Sequence, residues 1–286
     1  MAKLKNGKLR RKDGAWDPLK RSDADKQQAE VIPRTPQSDS PSYRLAYVDT
    51  DFLCREELRP IRLQLELLKT EMALTERGIT STVVMFGGAR IPAPGKDAWA
   101  ARNEIQKRNL EEASVYYDEA RKFARICTSY GEKSGHREYV VVTGGGPGVM
   151  EAGNRGAADA GGPSIGLNIV LPHEQAPNAY VTPDLSFNFH YFAIRKMHFL
   201  MRAKAVVIFP GGFGTLDELF ETLTLIQTKR MAPIPLILFG EKFWRSLINF
   251  EFLSDFGTIA PEDMELLHFA ETADEAWKIV AEHYEH

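Results

Sequence analysis

Hydrophobic positions along the chain fall into short continuous runs that alternate with longer amphipathic stretches. Thr82 to Phe86, Tyr139 to Val142, Ser164 to Ile169 and Ala205 to Phe209 are largely apolar, with few interruptions. Runs this short, without polar alternation, read as strands buried on both faces. Ile234 to Phe239 is a further strand with Pro235 at its start, where the missing N–H is tolerated. Leu185 to Phe189 is another candidate. Between the runs, apolar residues recur at helical spacing. Leu110, Ala113, Tyr117, Ala120 and Ala124 mark a long helix over about 97 to 130. Met150, Asn154, Ala157 and Ala158 mark the next, followed by helices near 191–203 and 215–229 and two or three more at the end of the chain. This alternation predicts an α/β fold, a Rossmann-like doubly wound parallel sheet with helices on both faces.

The pattern differs before residue 80. Residues 50–77 carry Leu58, Ile61, Leu65, Leu68 and Met72 at helical spacing. This amphipathic helix either covers a flank of the main fold or pairs with another subunit. Residues 1–42 are polar, with Lys3, Lys5, Lys8, Arg10, Arg11 and Lys12 clustered. So few apolar residues cannot offset the entropy of ordering, so a disordered tail is expected. It serves either as a solubilising leader or as a contact arm. The expected organisation is a tail over 1–42, an N-terminal helical extension over 43–79, and the Rossmann-like domain over 80–286.

Bulk properties narrow this further. The 286 residues are 43% apolar, enough for a proper core. A formal charge of −3 gives no global case for a nucleic-acid partner. The two cysteines, Cys54 and Cys127, show no metal-ligand spacing and read as packed or idle thiols, which suits a reducing cytoplasm. No apolar run approaches the roughly 18 residues of a membrane span.

Chemistry concentrates at glycine turns following the strands. Gly87-Gly88, Gly144 to Gly148, and Gly211 to Gly214 all fall at strand carboxyl ends, where an open parallel sheet binds its ligands. The stretch Gly144-Gly145-Gly146-Pro147-Gly148-Val149-Met150-Glu151 is a strand-to-helix turn whose bare backbone can approach a phosphate or ribose. It is neither a dinucleotide fingerprint nor a Walker A loop, and a purely structural turn remains open. The stretch Pro210 to Glu218 is more specific. Gly211, Gly212, Gly214 and Thr215 form a phosphate cradle, and Glu218 places a carboxylate beside it. Thr215 and Glu218 also have capping-box spacing, in which Glu218 reaches back to the helix start. Both readings stand on spacing alone. Arg195 and Lys196 are flanked by Phe187, Phe189, Tyr191, Phe192 and Phe199, which points to a semi-buried cation needing an anionic partner. His173, His190 and His198 share no metal spacing.

Arg195-Lys196 followed at this distance by Pro-Gly-Gly-Phe-Gly-Thr-Leu-Asp-Glu, with Gly-Gly-Gly-Pro-Gly-Val-Met upstream, resembles the LOG ("Lonely guy") family, long labelled lysine decarboxylases. The match runs over about 80 to 240. The resemblance implies a nucleoside 5′-monophosphate phosphoribohydrolase that releases a purine or cytokinin base and ribose 5-phosphate. It implies catalytic roles for Arg195 and Glu218. It implies phosphate or ribose contacts for Gly211, Gly212, Gly214, Thr215, Gly144, Gly145, Gly146, Gly148, Gly88, Arg90 and Lys196, and base or ribose contacts for Met150 and Glu151. No metal and no cofactor is expected. Homodimers or larger homo-oligomers are. Arg90 departs from the family's Gly-Ser-Ser-type turn, and Phe192-Ala193-Ile194 stands where short members have Met-His-Glu, so the chain looks like the longer bacterial branch. Three other readings compete. Lysine decarboxylation would require a Schiff-base lysine, and neither Lys196 nor Lys204 lies in a recognisable motif. The others are a nucleotide-binding sensor without turnover and a single-strand DNA binder using the basic tail.

Overall fold

The computed structural model describes residues 22–172 and 176–284. The chain divides into two compact units, 1–64 and 65–286. The first holds α1 (Ser22–Glu30), which has no buried residue, and α2 (Thr50–Leu53), capped by the Asp49 side chain on the Phe52 N–H. Residues 22–30 were expected to be disordered and are helical; residues 1–21, and His173, lie outside the described residues. Helix α3 (Arg59–Arg77) runs across the division. In the second unit it buries Thr70 and Leu74.

The second unit is the α/β domain that the alternation predicts. Its seven strands are β1 (Thr82–Phe86), β2 (Val140–Thr143), β3 (Ser164–Ile169), β4 (Ser186–Phe189), β5 (Ala203–Ile208), β6 (Leu236–Phe239) and β7 (His268–Ala270). All pair in parallel, in the order β4-β3-β2-β1-β5-β6-β7. The helices are α4 (Glu104–Glu112), α5 (Val115–Gly131), α6 (Val149–Asp159), α7 (Phe192–Leu200), α8 (Phe213–Gln227), α9 (Glu241–Leu247), α10 (Phe250–Asp255) and α11 (Ala273–His283).

Strands β1, β2, β5 and β6 present their residues alternately to two cores. Val83, Met85, Val141 and Val207 pack beneath α5, α6 and α11 with Phe123, Ala152 and Ala276. Val84, Phe86, Val142 and Val206 pack on the other face with Leu74, Phe199 and Leu219. That double coverage explains why the strands read as continuous apolar runs. No helix among the described residues is long and apolar enough to cross a membrane.

Local chemistry moves several boundaries. The long helix expected over 97–130 is two helices. Asn103 caps the first by accepting the Gln106 N–H, which sets its start beyond Pro92, Pro94 and Gly95. A break at Ala113–Ser114 separates α4 from α5. Strand β6 starts after Pro235, whose carbonyl instead accepts the Val206 N–H.

The order of strands fixes where a ligand can bind. From β1 the chain builds outward through β2, β3 and β4, then returns to the other side of β1 with β5. The β1/β5 boundary is therefore the topological switch point, and the crevice lies beyond the carboxyl ends of these strands.

Candidate active site

Three glycine turns meet at that crevice. The Gly88 N–H donates to the Pro210 carbonyl at 2.9 Å, joining the turns after β1 and β5. The Val149 N–H donates to the Gly88 carbonyl at 3.3 Å, joining the turn after β2. Gly148 has φ +70°, and a Cβ there would strike the Gly88 carbonyl oxygen and come within 2.8 Å of the Ala89 carbonyl carbon. Only glycine lets the turn close this way.

Side chains pin the β2 turn from behind. Asn178 donates through its amide to the carbonyls of Gly145 (3.1 Å) and Gly146 (3.0 Å) and to Asn154 Oδ1 (2.9 Å). Its backbone N–H adds a bond to Gly145 O. Thr143 Oγ1 accepts the Gly145 N–H and donates to Asn154 Oδ1. The sequence offered no sign of Asn178, a lone amide in a loop without a spacing pattern. Met150 folds over the same turn, its Sδ 2.8 Å from where a Gly144 Cβ would stand. Glu151 faces α5, where it accepts the Tyr117 hydroxyl at 2.7 Å. Burial, with Glu151 adding to it, pushes the Tyr117 hydroxyl up to about 12, so it stays a proton donor to this carboxylate.

Arg195 and Glu218 come together beside Gly144. Arg195 projects from α7 and is buried, with its Nε donating to the Leu167 carbonyl of β3 at 2.7 Å. Its guanidinium carbon lies 5.0 Å from the Phe199 ring centroid, a cation–π contact. Its Nη2 lies 2.7 Å from the position of a Gly144 Cβ, so Gly144 is bare where the arginine passes. Its Nη1 reaches Glu218 Oε1 at 3.4 Å. That is long beside the 2.7–2.9 Å of a tight charge-assisted bond, and a loose pair leaves room for a ligand group to share both partners. Burial raises the Glu218 carboxyl to about 7, with Arg195 opposing the shift. Burial also lowers the pKa of Arg195, which Glu218 counters.

The turn after β5 departs from the capping reading. Helix α8 begins at Phe213 with Gly212 as its cap residue and no side-chain cap bond. Thr215 therefore sits inside the first turn, and Glu218 lies in the second turn, on the face toward Arg195 rather than at the helix start. Thr215 is buried, with Oγ1 folded back against Gly211. Gly212 and Gly214 face open space, and the Phe213 ring is 94% exposed. The N–H groups of the first helical turn have no intrahelical acceptor, so they open toward the crevice with the positive end of the helix dipole.

Two expected phosphate contacts sit differently. Lys196 Nζ lies 2.9 Å from both Asp217 and Glu221, so it ties α7 to α8 instead of standing free for an anion. Burial lowers its pKa, but the bonds to Glu221 and Asp217 prevail and leave it raised. Arg90 is exposed, with no carboxylate partner among the described residues. A recess lined by Phe220, Leu223, Phe250 and Leu253 lies elsewhere. It holds no buried ion pair such as Arg195–Glu218.

Residues 150–280 match a protein-family model described as "Possible lysine decarboxylase". The chain is 28% identical over 183 residues to cytokinin riboside 5′-monophosphate phosphoribohydrolase LOG3 of Arabidopsis thaliana, covering 57% of this chain and 84% of that protein. It is 31% identical over 128 residues to the pyrimidine/purine nucleotide 5′-monophosphate nucleosidase of Escherichia coli strain K12, covering 39% of this chain and only 26% of the relative. Among solved structures, it resembles the molybdenum cofactor binding protein of Rippkaea orientalis, with a TM-score of 0.45, 18% identity, and coverage of 72% of this chain and 98% of that one. This last likeness has no bearing on activity.

Proposed function

We propose that the chain, whose residues 150–280 match the family described as possible lysine decarboxylases, hydrolyses the N-glycosidic bond of a nucleoside 5′-monophosphate, with a purine nucleotide such as AMP or a cytokinin nucleotide as substrate. The observation that carries this is the buried Arg195–Glu218 pair beside the open N-terminus of α8, at the switch point of the sheet. The relatives named for their reactions act on 5′-monophosphates, and the crevice has the parts such a substrate needs.

In this reading the 5′-phosphate sits on the N–H groups of Phe213, Gly214 and Thr215 and on the Thr215 hydroxyl, where helix dipole and unpaired donors favour an anion. Arg90, at the rim, adds a cation. The phosphate is a handle that holds the ribose over Glu218. As the C1′–N bond breaks, positive charge develops on the ribose. Ionised Glu218 stabilises that charge and binds ribose hydroxyls. Water adds its oxygen to C1′, the base leaves with a proton on its nitrogen, and ribose 5-phosphate is the other product. Arg195 keeps Glu218 charged and oriented. The Gly144–Gly148 turn lines the opposite wall, with Met150 toward the base.

The lysine chemistry in the family's label has little support in the geometry. Lys196 is held between two carboxylates. Lys204 lies at the start of β5, away from the crevice, with its Nζ 3.4 Å from the Tyr139 hydroxyl.

Incubation with AMP, GMP, CMP, UMP and isopentenyl-AMP, followed by chromatography for free base, is the test. Base release with equal ribose 5-phosphate is expected. Tight AMP binding without base release would replace this reading with a sensor role. The same proposal includes a cytoplasmic homo-oligomer joined through exposed apolar side chains such as Leu65, Leu68 and Met72 of α3. Light scattering would give its mass.

A further inference from the structure

Helix α7 carries Arg195, yet it has no side-chain cap of its own. Its cap residue, Tyr191, makes no such bond. The partner comes from α3, more than a hundred residues earlier in the chain. Glu66 Oε1 accepts the His190 N–H at 2.8 Å, and its Oε2 accepts the Tyr191 N–H at 3.2 Å. One carboxylate thus spans the two N–H groups that lead into the helix and offsets its positive end. Just beyond the other end of α7, Arg202 pairs with Glu71 of α3 and donates to Thr75 Oγ1 at 3.1 Å. Helix α3 therefore grips α7 at both ends.

This grip bears on the crevice because Arg195 is one turn from the Glu66 contact. Its Nε must reach Leu167 O while its Nη1 reaches Glu218. Both distances depend on where α7 sits along its axis. The Glu218 contact is already long, so a small displacement removes it. We propose that Glu66, which touches no substrate, is a positioning residue for the Arg195–Glu218 pair, acting through the N-terminus of α7. The inference rests on the reading of that pair as the hydrolytic centre.

Glu66→Ala strips both acceptors, whereas Glu66→Gln keeps one. With AMP as substrate, E66A is expected to lower kcat about ten- to a hundredfold, in line with an ångström-scale misplacement, while KM stays within about twofold. The acid limb of the pH profile should also move to higher pH. Arg195 is the main group holding the Glu218 carboxyl down against burial, with Lys196 helping and Asp217 and Glu221 opposing. Losing its hold lets that carboxyl rise. E66Q should fall between wild type and E66A, and it carries the test if E66A does not fold. A wild-type kcat, a change confined to KM, or a lower kcat with an unmoved acid limb would each overturn the inference. If the wild-type protein releases no base from any nucleotide, the functional reading fails instead. Crystal structures of wild type and E66Q then decide the positioning separately. An Arg195 Nε moved away from Leu167 O supports it, and an unmoved Arg195 overturns it.

Discussion

At the turn after β2, every glycine is hemmed in. At the turn after β5, Gly212 and Gly214 have nothing near the positions their Cβ atoms would take. A Cβ at 144, 145, 146 or 148 would collide with Arg195, Asn168, Met150 or the Gly88–Ala89 backbone. The two turns look alike as sequence, both glycine-rich and both opening a helix. Their glycines answer different demands. Those after β2 let the protein pack against itself, and so let Arg195 lie under the loop. After β5, Gly211 makes room for the Thr215 side chain, while Gly212 and Gly214 leave the backbone of the first turn of α8 uncovered. In the proposed reading the first turn is structural and the second holds the ligand.

The largest expected effect tests the second turn. Glu218→Gln should lower kcat by roughly 10²- to 10³-fold, the scale of losing a preorganised charge at a reacting centre, with an unchanged circular-dichroism spectrum. Near-normal AMP hydrolysis by this variant would leave the β5 turn a binding loop without chemistry. The same substitution should flatten the dependence of stability on pH. The Glu218 carboxyl is raised to about 7 by burial, from an ordinary 4.5. The folded state thus holds a proton that the unfolded state has lost between those values. Its contribution to stability is full below pH 4.5 and is lost as pH rises to about 7, a difference of up to about 3 kcal/mol. Glutamine removes that dependence, so melting temperatures of wild type and variant should diverge between pH 5 and 8. Activity runs the other way, since ionised Glu218 is the working form, and kcat/KM for AMP should climb through about pH 7.

Gly148→Ala tests the first turn. A side chain at φ +70° that also meets the Gly88–Ala89 backbone should cost about 2–4 kcal/mol, read as a lower melting temperature. A variant as stable as wild type would show that the turn is not packed as described.

These contrasts show how much the sequence could reveal. The strands were legible because burial on both faces leaves an unbroken apolar run. Arg195 was legible because a cation among five aromatic residues needs a partner, although the partner itself came from family resemblance. The Thr215–Glu218 spacing misled in part, since it fits a capping box equally well. Glycines at 212 and 214 let α8 start two residues earlier, and that turns Glu218 from the helix end toward Arg195. Lys196 was expected on the phosphate because its actual partners, Asp217 and Glu221, lie on another helix. Bonds across long sequence separations carry no local pattern at all. Glu66 on the His190 N–H and Asn178 on the Gly145 carbonyl are of this kind, and both shape the crevice.

The smallest expected effects give the finest division between the turns. Gly214→Ala adds a methyl to open space inside the first turn of α8. Alanine is the better helix former by about 1 kcal/mol, so the melting temperature should hold or rise slightly. KM for AMP should nevertheless increase several-fold, because the methyl stands where the phosphate approaches the backbone. Thr215→Val keeps the buried shape and removes the hydroxyl. No side-chain cap bond is lost, since α8 has none. Its stability should therefore change by less than about 1 kcal/mol, well short of a lost cap with its own unsatisfied donor, while KM rises. A clear fall in melting temperature with KM unchanged would restore Thr215 to a capping role. The second turn would then be held together by its side chains, as the first is, and the distinction between them would fail at this residue.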